Sequence, residues 1–82
     1  MGTHPRIELN PEIMLGKPVI RGTRITVELI LRNIAEGDNI GDILEGYPHL
    51  SEEDVRAAIG YAADVVALEE IITFPETSKS SS

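Results

Sequence analysis

The residues best suited to chemistry are cations that alternate with glycines near the start of the chain. They lie in residues 16–24, called here the basic segment, and its cations and hydroxyl are Lys17, Arg21, Arg24 and Thr23. Fixed cations, a hydroxyl and backbone amides left accessible by Gly16 and Gly22 suit a phosphate group. The residues leave a second interpretation open, because an arginine in such a turn can instead pair with Glu28 or with a helix C-terminus.

Catalytic and metal chemistry find little support in the sequence. Gly16-Lys17 lacks the upstream glycine and the following Ser or Thr of a phosphate-binding P-loop. The chain contains no cysteine, and its two histidines, His4 and His49, are too few for a dedicated zinc site and show no nucleophile–base spacing. We therefore expect neither an enzyme nor a bound metal or other cofactor.

The net charge of −7 is unevenly distributed along the chain. Residues 1–32 contain five basic and three acidic side chains, whereas residues 33–82 contain two basic and eleven acidic ones. This asymmetry predicts that an anionic partner binds the first part of the chain. The N-terminus has no long apolar run, so we expect no signal peptide and no membrane span, and a cytoplasmic protein.

Hydrophobic spacing predicts a mostly α fold. Ile7 and Leu9 alternate with polar residues, and residues 18–21 form a second short run, so a short N-terminal β-segment or hairpin is expected, with Gly22 at positive φ after it. A first helix is expected between an N-cap at Thr26 and a stop at Gly37. A second covers about residues 39–46, capped by Asp38 or Asn39.

The third predicted helix, about residues 52–72, has the clearest start. Ser51 as N-cap with Asp54 three residues later is a capping-box arrangement, and Glu52, Glu53 and Asp54 favour the positive end of the helix dipole. The three helices predict a helix-turn-helix core in a single domain at residues 1–74. The polar residues 75–82 are predicted to be a flexible tail.

Two apolar stripes run along the third helix. The first is predicted to face the core: Val55, Ala58, Ile59, Ala62 and Val66. The second consists of Tyr61, Val65, Leu68 and Ile72. It either packs under the N-terminal strands or forms a dimer interface together with Leu29. A domain this small without disulfides or metal often gains stability by oligomerising, so we expect a homodimer.

A short helix, a tight turn and a longer capped helix are typical of a DNA-binding helix-turn-helix. The first turn of the third helix, however, carries three carboxylates and only Arg56 as a cation. Those carboxylates would be repelled by phosphates. The basic segment is therefore the preferred contact surface.

The sequence resembles a small prokaryotic family, domain of unknown function 433. The resemblance rests on residues 7–13 and 16–25, which read IELNPEI and GKPVIRGTRI, and on later apolar pairs as far as residue 68. It implies a homeodomain-like fold and an antitoxin whose neighbouring gene encodes a PIN-like ribonuclease toxin. The contact residues it implies are Lys17, Arg21, Thr23 and Arg24.

Two functions follow as hypotheses. The first is a dimeric, antitoxin-like regulator that binds operator DNA through its basic segment. The second is a protein–protein module that neutralises a PIN-like toxin without touching DNA, with Arg21 or Arg24 entering the carboxylate cluster in which such nucleases hold metal.

Overall fold

A computed structural model describes residues 4–73, with side chains as far as Leu68, and it contains three helices behind a two-stranded hairpin. The elements are β1 (Ile7–Glu8), a 3₁₀ turn (Met14–Gly16), β2 (Val19–Ile20), α1 (Val27–Ala35), α2 (Ile40–Gly46) and α3 (Glu52–Thr73). This is the predicted mostly α fold with a short N-terminal hairpin. The predicted tail, residues 75–82, lies outside the described residues.

The hairpin is antiparallel and pairs Ile7 with Ile20. Both side chains are buried in the core, as is Val19. Leu9 is exposed, so the predicted burial of the Ile7–Leu9 alternation is wrong there. The reason is that β1 ends at Glu8, before the turn that Pro11 imposes.

The turn after β2 directs the chain into α1. Gly22 has φ +83°, as predicted for a residue that ends the run. The Thr23 hydroxyl donates to the Ile20 carbonyl at 2.7 Å and accepts from the Ile25 amide at 3.0 Å. The Thr26 hydroxyl then accepts from the Leu29 amide at 3.0 Å, which confirms the predicted N-cap of α1.

Reciprocal capping boxes fix the starts of α2 and α3. Asn39, one of the two candidates, caps α2 and exchanges hydrogen bonds with Asp42. At α3 the Asp54 amide donates to the Ser51 hydroxyl at 3.2 Å, and the Ser51 amide donates to the Asp54 carboxylate at 3.0 Å. The predicted capping box of α3 is therefore confirmed.

The core lies where the hairpin and all three helices meet. Its fully buried large side chains are Ile20, Ile30, Ile43, Val19 and Val55. Ile59 and Val66, predicted to belong to the core, are 38% and 53% exposed. Ile59 is exposed because it lies on the flank of the core stripe, beside the fully buried Ala58. Val66 is exposed because it lies in the second half of α3, and this helix of 22 residues, about 33 Å, is longer than the nine residues of α1, about 14 Å, can cover.

Stability should fall in acid through Asp54. Burial raises the pKa of its carboxyl, but hydrogen bonds from Ser51 and Arg6 outweigh burial, and the pKa is lowered below its ordinary 3.8. A lowered folded-state pKa stabilises the fold above the ordinary value and loses that effect as the pH falls through the lowered one.

We therefore expect Asp54→Asn to destabilise the domain by about 1 kcal/mol near neutral pH. The difference from the wild type should shrink as the pH falls below 3.8. Urea unfolding at a series of pH values measures this, and a difference that does not change with pH would contradict it.

Candidate interaction surface

The basic segment is held largely by contacts within the chain. Lys17 Nζ donates to Glu28 Oε1 at 3.1 Å. Arg32 Nε and Nη2 donate to the other oxygen of the same carboxylate at 3.2 and 3.1 Å. The hydrogen bond from Lys17, followed by that from Arg32, lowers the pKa of Glu28. Lys17 therefore belongs to an ion-paired cluster on the start of α1.

Arg21 joins the two strands. Its Nε donates to the Pro5 carbonyl at 2.7 Å and its Nη2 to the Ile7 carbonyl at 3.3 Å. Thr23, as described above, bonds only to the backbone of its own turn. The premise of a cluster of available cations is therefore wrong for Lys17 and Arg21. A role for either in binding an outside group stays a prediction.

Arg24 differs from the other cations. Among the described side chains, it is the only lysine or arginine with neither an ion pair nor a hydrogen bond, and it is exposed. Arg56, the remaining predicted contact residue, donates to Glu52 on the preceding turn of α3 at 2.8 Å. Within the described residues, Arg24 is thus the cation left for an external anion.

The turn before the basic segment displays apolar side chains, which the sequence analysis missed. We call residues 9–15 the apolar loop. Met14 and Leu15 have φ of +50° and +59°, and Leu15 is 93% exposed. A left-handed conformation costs a non-glycine residue about 1–2 kcal/mol. The available signal was a leucine directly before Gly16-Lys17, in a turn where polar residues are usual.

Backbone hydrogen bonds hold this loop in its conformation. The Gly16 amide donates to the Ile13 carbonyl at 3.0 Å, and the Lys17 amide donates to the Met14 carbonyl at 3.1 Å. At the other end the Glu12 amide donates to Asn10 Oδ1 at 2.9 Å. Leu15 is therefore presented on an ordered turn.

Polar side-chain contacts connect the N-terminal segment to α3. His4 Nε2 lies 2.7 Å from Asp64 Oδ2, and the His4 ring meets the ring of Tyr61 edge to face. Arg6 Nη1 donates to Asp54 Oδ1 at 2.9 Å. These contacts could not be predicted from the sequence because the residues that form them are up to 60 positions apart in the chain.

An apolar groove of about 510 Å³ runs between α1 and α3. Tyr61 and Val65 of the predicted dimer interface line it, Leu68 is exposed nearby on α3, and Leu29 is half-buried. The side chain of Ile72 lies outside the described residues. None of this tests the predicted dimer, which stays a prediction.

The fold places the chain in the class of small three-helix, helix-turn-helix domains with an N-terminal hairpin. Residues 7–62 match the family model described as protein of unknown function DUF433. The chain belongs to the DUF433 family, as its resemblance predicted.

The chain is similar to an uncharacterized protein and to a member of the family whose structure is known. Uncharacterized protein y4eO of Sinorhizobium fredii (strain NBRC 101917 / NGR234) is 40% identical over 53 residues, which are 65% of this chain and 24% of that protein. The crystal structure of a DUF433 member from Anabaena variabilis ATCC 29413 superposes with a TM-score of 0.72 at 29% identity. That match covers 80% of this chain and 65% of the other. The chain thus spans about a quarter of the first relative.

The helices in the described part of the chain are too short or too polar to cross a membrane.

Proposed function

We propose that this domain is a protein-binding regulator of the antitoxin kind, which neutralises a PIN-like ribonuclease through its apolar loop and Arg24. The observation that carries the proposal is the display of Leu15 at positive φ on an ordered turn. Both the exposure of Leu15 and the strain of its backbone are unfavourable for the stability of the unbound domain. Burying a leucine on a partner contributes about 1.5–3 kcal/mol, which offsets the strain only in a complex.

Charge adds a second requirement for the partner. Arg24 follows the apolar loop in the chain and has no partner of its own among the described side chains. A guanidinium binds carboxylates in a fixed, two-pronged geometry. A surface with an apolar pocket and a carboxylate cluster fits both features, and the metal site of a PIN-like nuclease is such a cluster.

Protein binding is thus preferred to DNA binding, whereas the sequence favoured DNA binding. Lys17 and Arg21 are engaged within the chain, and Arg56 pairs with one of the carboxylates at the start of α3. Few cations remain for DNA phosphates, and binding to phosphates requires several. Contact with protein is the function that these side chains support best.

The test is binding to the product of the adjacent gene, measured by calorimetry. Leu15→Glu should weaken the complex about tenfold or more, which corresponds to the transfer free energy of one leucine. Leu68→Glu, the same change at an exposed position on α3, is the matched control and should bind like the wild type. Equal binding by all three chains would refute the proposal.

The arginine is tested in the same way. Arg24→Ala should weaken the complex about tenfold, and more at low salt, since a charged hydrogen bond is lost. Arg32→Ala removes the same charge from an internal ion pair and should have little effect.

DNA binding remains a second candidate because α2, its turn and α3 form a helix-turn-helix. A gel shift with DNA from upstream of the gene, at low salt, decides between the two functions. A retarded band that Arg24→Ala abolishes would favour a DNA role. No retardation, together with a stable protein complex, would support the proposal.

A further inference from the structure

The face between α1 and α3 contains a continuous apolar surface. The groove described above adjoins a second one of about 430 Å³, and the two share Leu31, Ala62 and Val66. The second groove also includes Ile59. Ile59 lies on the flank of α3 beside the core stripe, and Val66 lies about two turns farther along the helix. Water therefore contacts apolar side chains over both grooves.

We propose that this face binds a second copy of the chain, in a two-fold contact between the α1–α3 faces. The proposal is independent of the proposed function, whose contacts lie on the apolar loop and Arg24. A symmetric dimer requires one surface to be complementary to itself. This face provides both parts of such a contact. One is the groove between the helices, and the other is the exposed side chains Ile59 and Val66 of α3 beside it.

The small side chains on α3 favour close packing of a helix from another copy. Ala62, Ala63 and Ala67 line the second groove, where α3 has no bulky side chains apart from Ile59 and Val66. Alanines at the contact allow helix axes to approach to the short end of the usual 8–10 Å. A second α3 can therefore enter the groove and meet Ile59 and Val66.

Charge also permits self-association here, although the chain as a whole has a net charge of −7. The charged residues that line the two grooves are Glu28 and Arg32, which pair with each other and with Lys17. The lining residues themselves carry no net charge, because one is acidic and one is basic. In a two-fold contact Glu28 of one copy can face Arg32 of the other, so the two faces meet without net repulsion.

The size of the domain gives a reason for such a contact. Few side chains are fully buried in one copy, and a domain of this length buries only about 60% of its unfolded surface. A second copy would cover the exposed side chains of Ile59, Val65 and Val66. This assigns Tyr61 and Val65 of the second stripe, together with Ile59 and Val66 of the first, to one interface.

Sedimentation velocity on the full chain tests the proposal. The wild type should sediment with twice the chain mass of 8.9 kDa at high concentration. Val66→Glu should weaken dimerisation about tenfold or more, since a charge would enter the apolar contact. Leu15→Glu, an exposed apolar position outside the face, should dimerise like the wild type. Circular dichroism would show that both variants are folded.

A second measurement locates the contact. Because the chain contains no cysteine, Glu36→Cys, at an exposed position directly after α1 and beside the groove, can carry a single nitroxide label. When labelled chain is mixed with unlabelled ¹⁵N chain, the amide signals of Leu31 and Ala62 should broaden between copies. A wild type that stays monomeric would overturn the proposal, whatever else the groove binds. A dimer that Leu15→Glu weakens and Val66→Glu does not would overturn it as well.

Discussion

Alanine in place of Ile30 should destabilise the domain by about 2–5 kcal/mol, the largest effect we expect from a single substitution. Ile30 lies on α1, is fully buried, and belongs to the cluster in which the hairpin and all three helices meet. Truncation removes apolar contacts and leaves a cavity that the surrounding elements cannot fill. A domain of this size has a total stability of about 4–12 kcal/mol, so much of it would be lost.

Ile59→Ala is the matched control, because it makes the same chemical change on a residue that is 38% exposed. We expect a loss of less than about 1 kcal/mol from it, measured by urea unfolding at a concentration where the chain is monomeric. Equal losses at the two positions would contradict the description of the core. They would restore the sequence-based prediction that Ile59 is a core residue.

Arg21→Ala should destabilise the fold by about 2 kcal/mol, which is the second-largest effect expected. The guanidinium donates to the carbonyls of Pro5 and Ile7, and it thereby holds the N-terminal segment against β2. Arg21 is exposed, so each of its two hydrogen bonds is assigned about 1 kcal/mol, below the range of about 1.5–3 kcal/mol for bonds to charged groups. For a domain of this length, 2 kcal/mol corresponds to a fall in Tm of about 8–16 °C.

Arg21→Lys separates this structural role from a role in binding phosphate. Lysine keeps the positive charge but not the planar fork that reaches two carbonyls. It should therefore be nearly as unstable as the alanine variant. If Arg21→Lys were as stable as the wild type and DNA binding followed the charge at this position, the predicted phosphate contact would be correct and the structural role wrong.

The sequence was sufficient to predict the elements of this fold because their signals are local. Thr26, Asn39 and Ser51 cap the three helices, and each bonds to a residue three positions away. Gly22 follows the end of β2 and Gly37 follows the end of α1, both at positive φ. Capping and turn chemistry depend on neighbours in the chain. For that reason they can be recognised without knowledge of the tertiary structure.

The candidate site was harder to predict because it depends on contacts between distant residues. The sequence offered an arginine of the basic segment as a partner of Glu28, but the residue of that segment that pairs with Glu28 is Lys17. The two carbonyls bound by Arg21 are 14 and 16 residues away. Burial along α3 likewise depends on how the other elements pack against it, so its apolar spacing could not show that Ile59 and Val66 are exposed.

Taken together, the proposals assign different surfaces to different partners. The apolar loop and Arg24 would bind the ribonuclease, and the α1–α3 face would bind a second copy. Two copies would then present two loops to a partner, and the complex would gain affinity wherever both loops can bind at once. Val66→Glu should in that case also weaken binding to a multivalent partner, although it leaves the loop unchanged.

The most direct test of the central claim is the map of amide chemical-shift changes in the ¹⁵N-labelled chain when the adjacent gene product is added. We predict that the largest changes fall in residues 9–24, with Leu15 and Arg24 among them. Residues at the start of α3, such as Glu53, should change little. Changes confined to the start of α3, or an unaltered apolar loop in a stable complex, would contradict the claim that this loop is the binding surface.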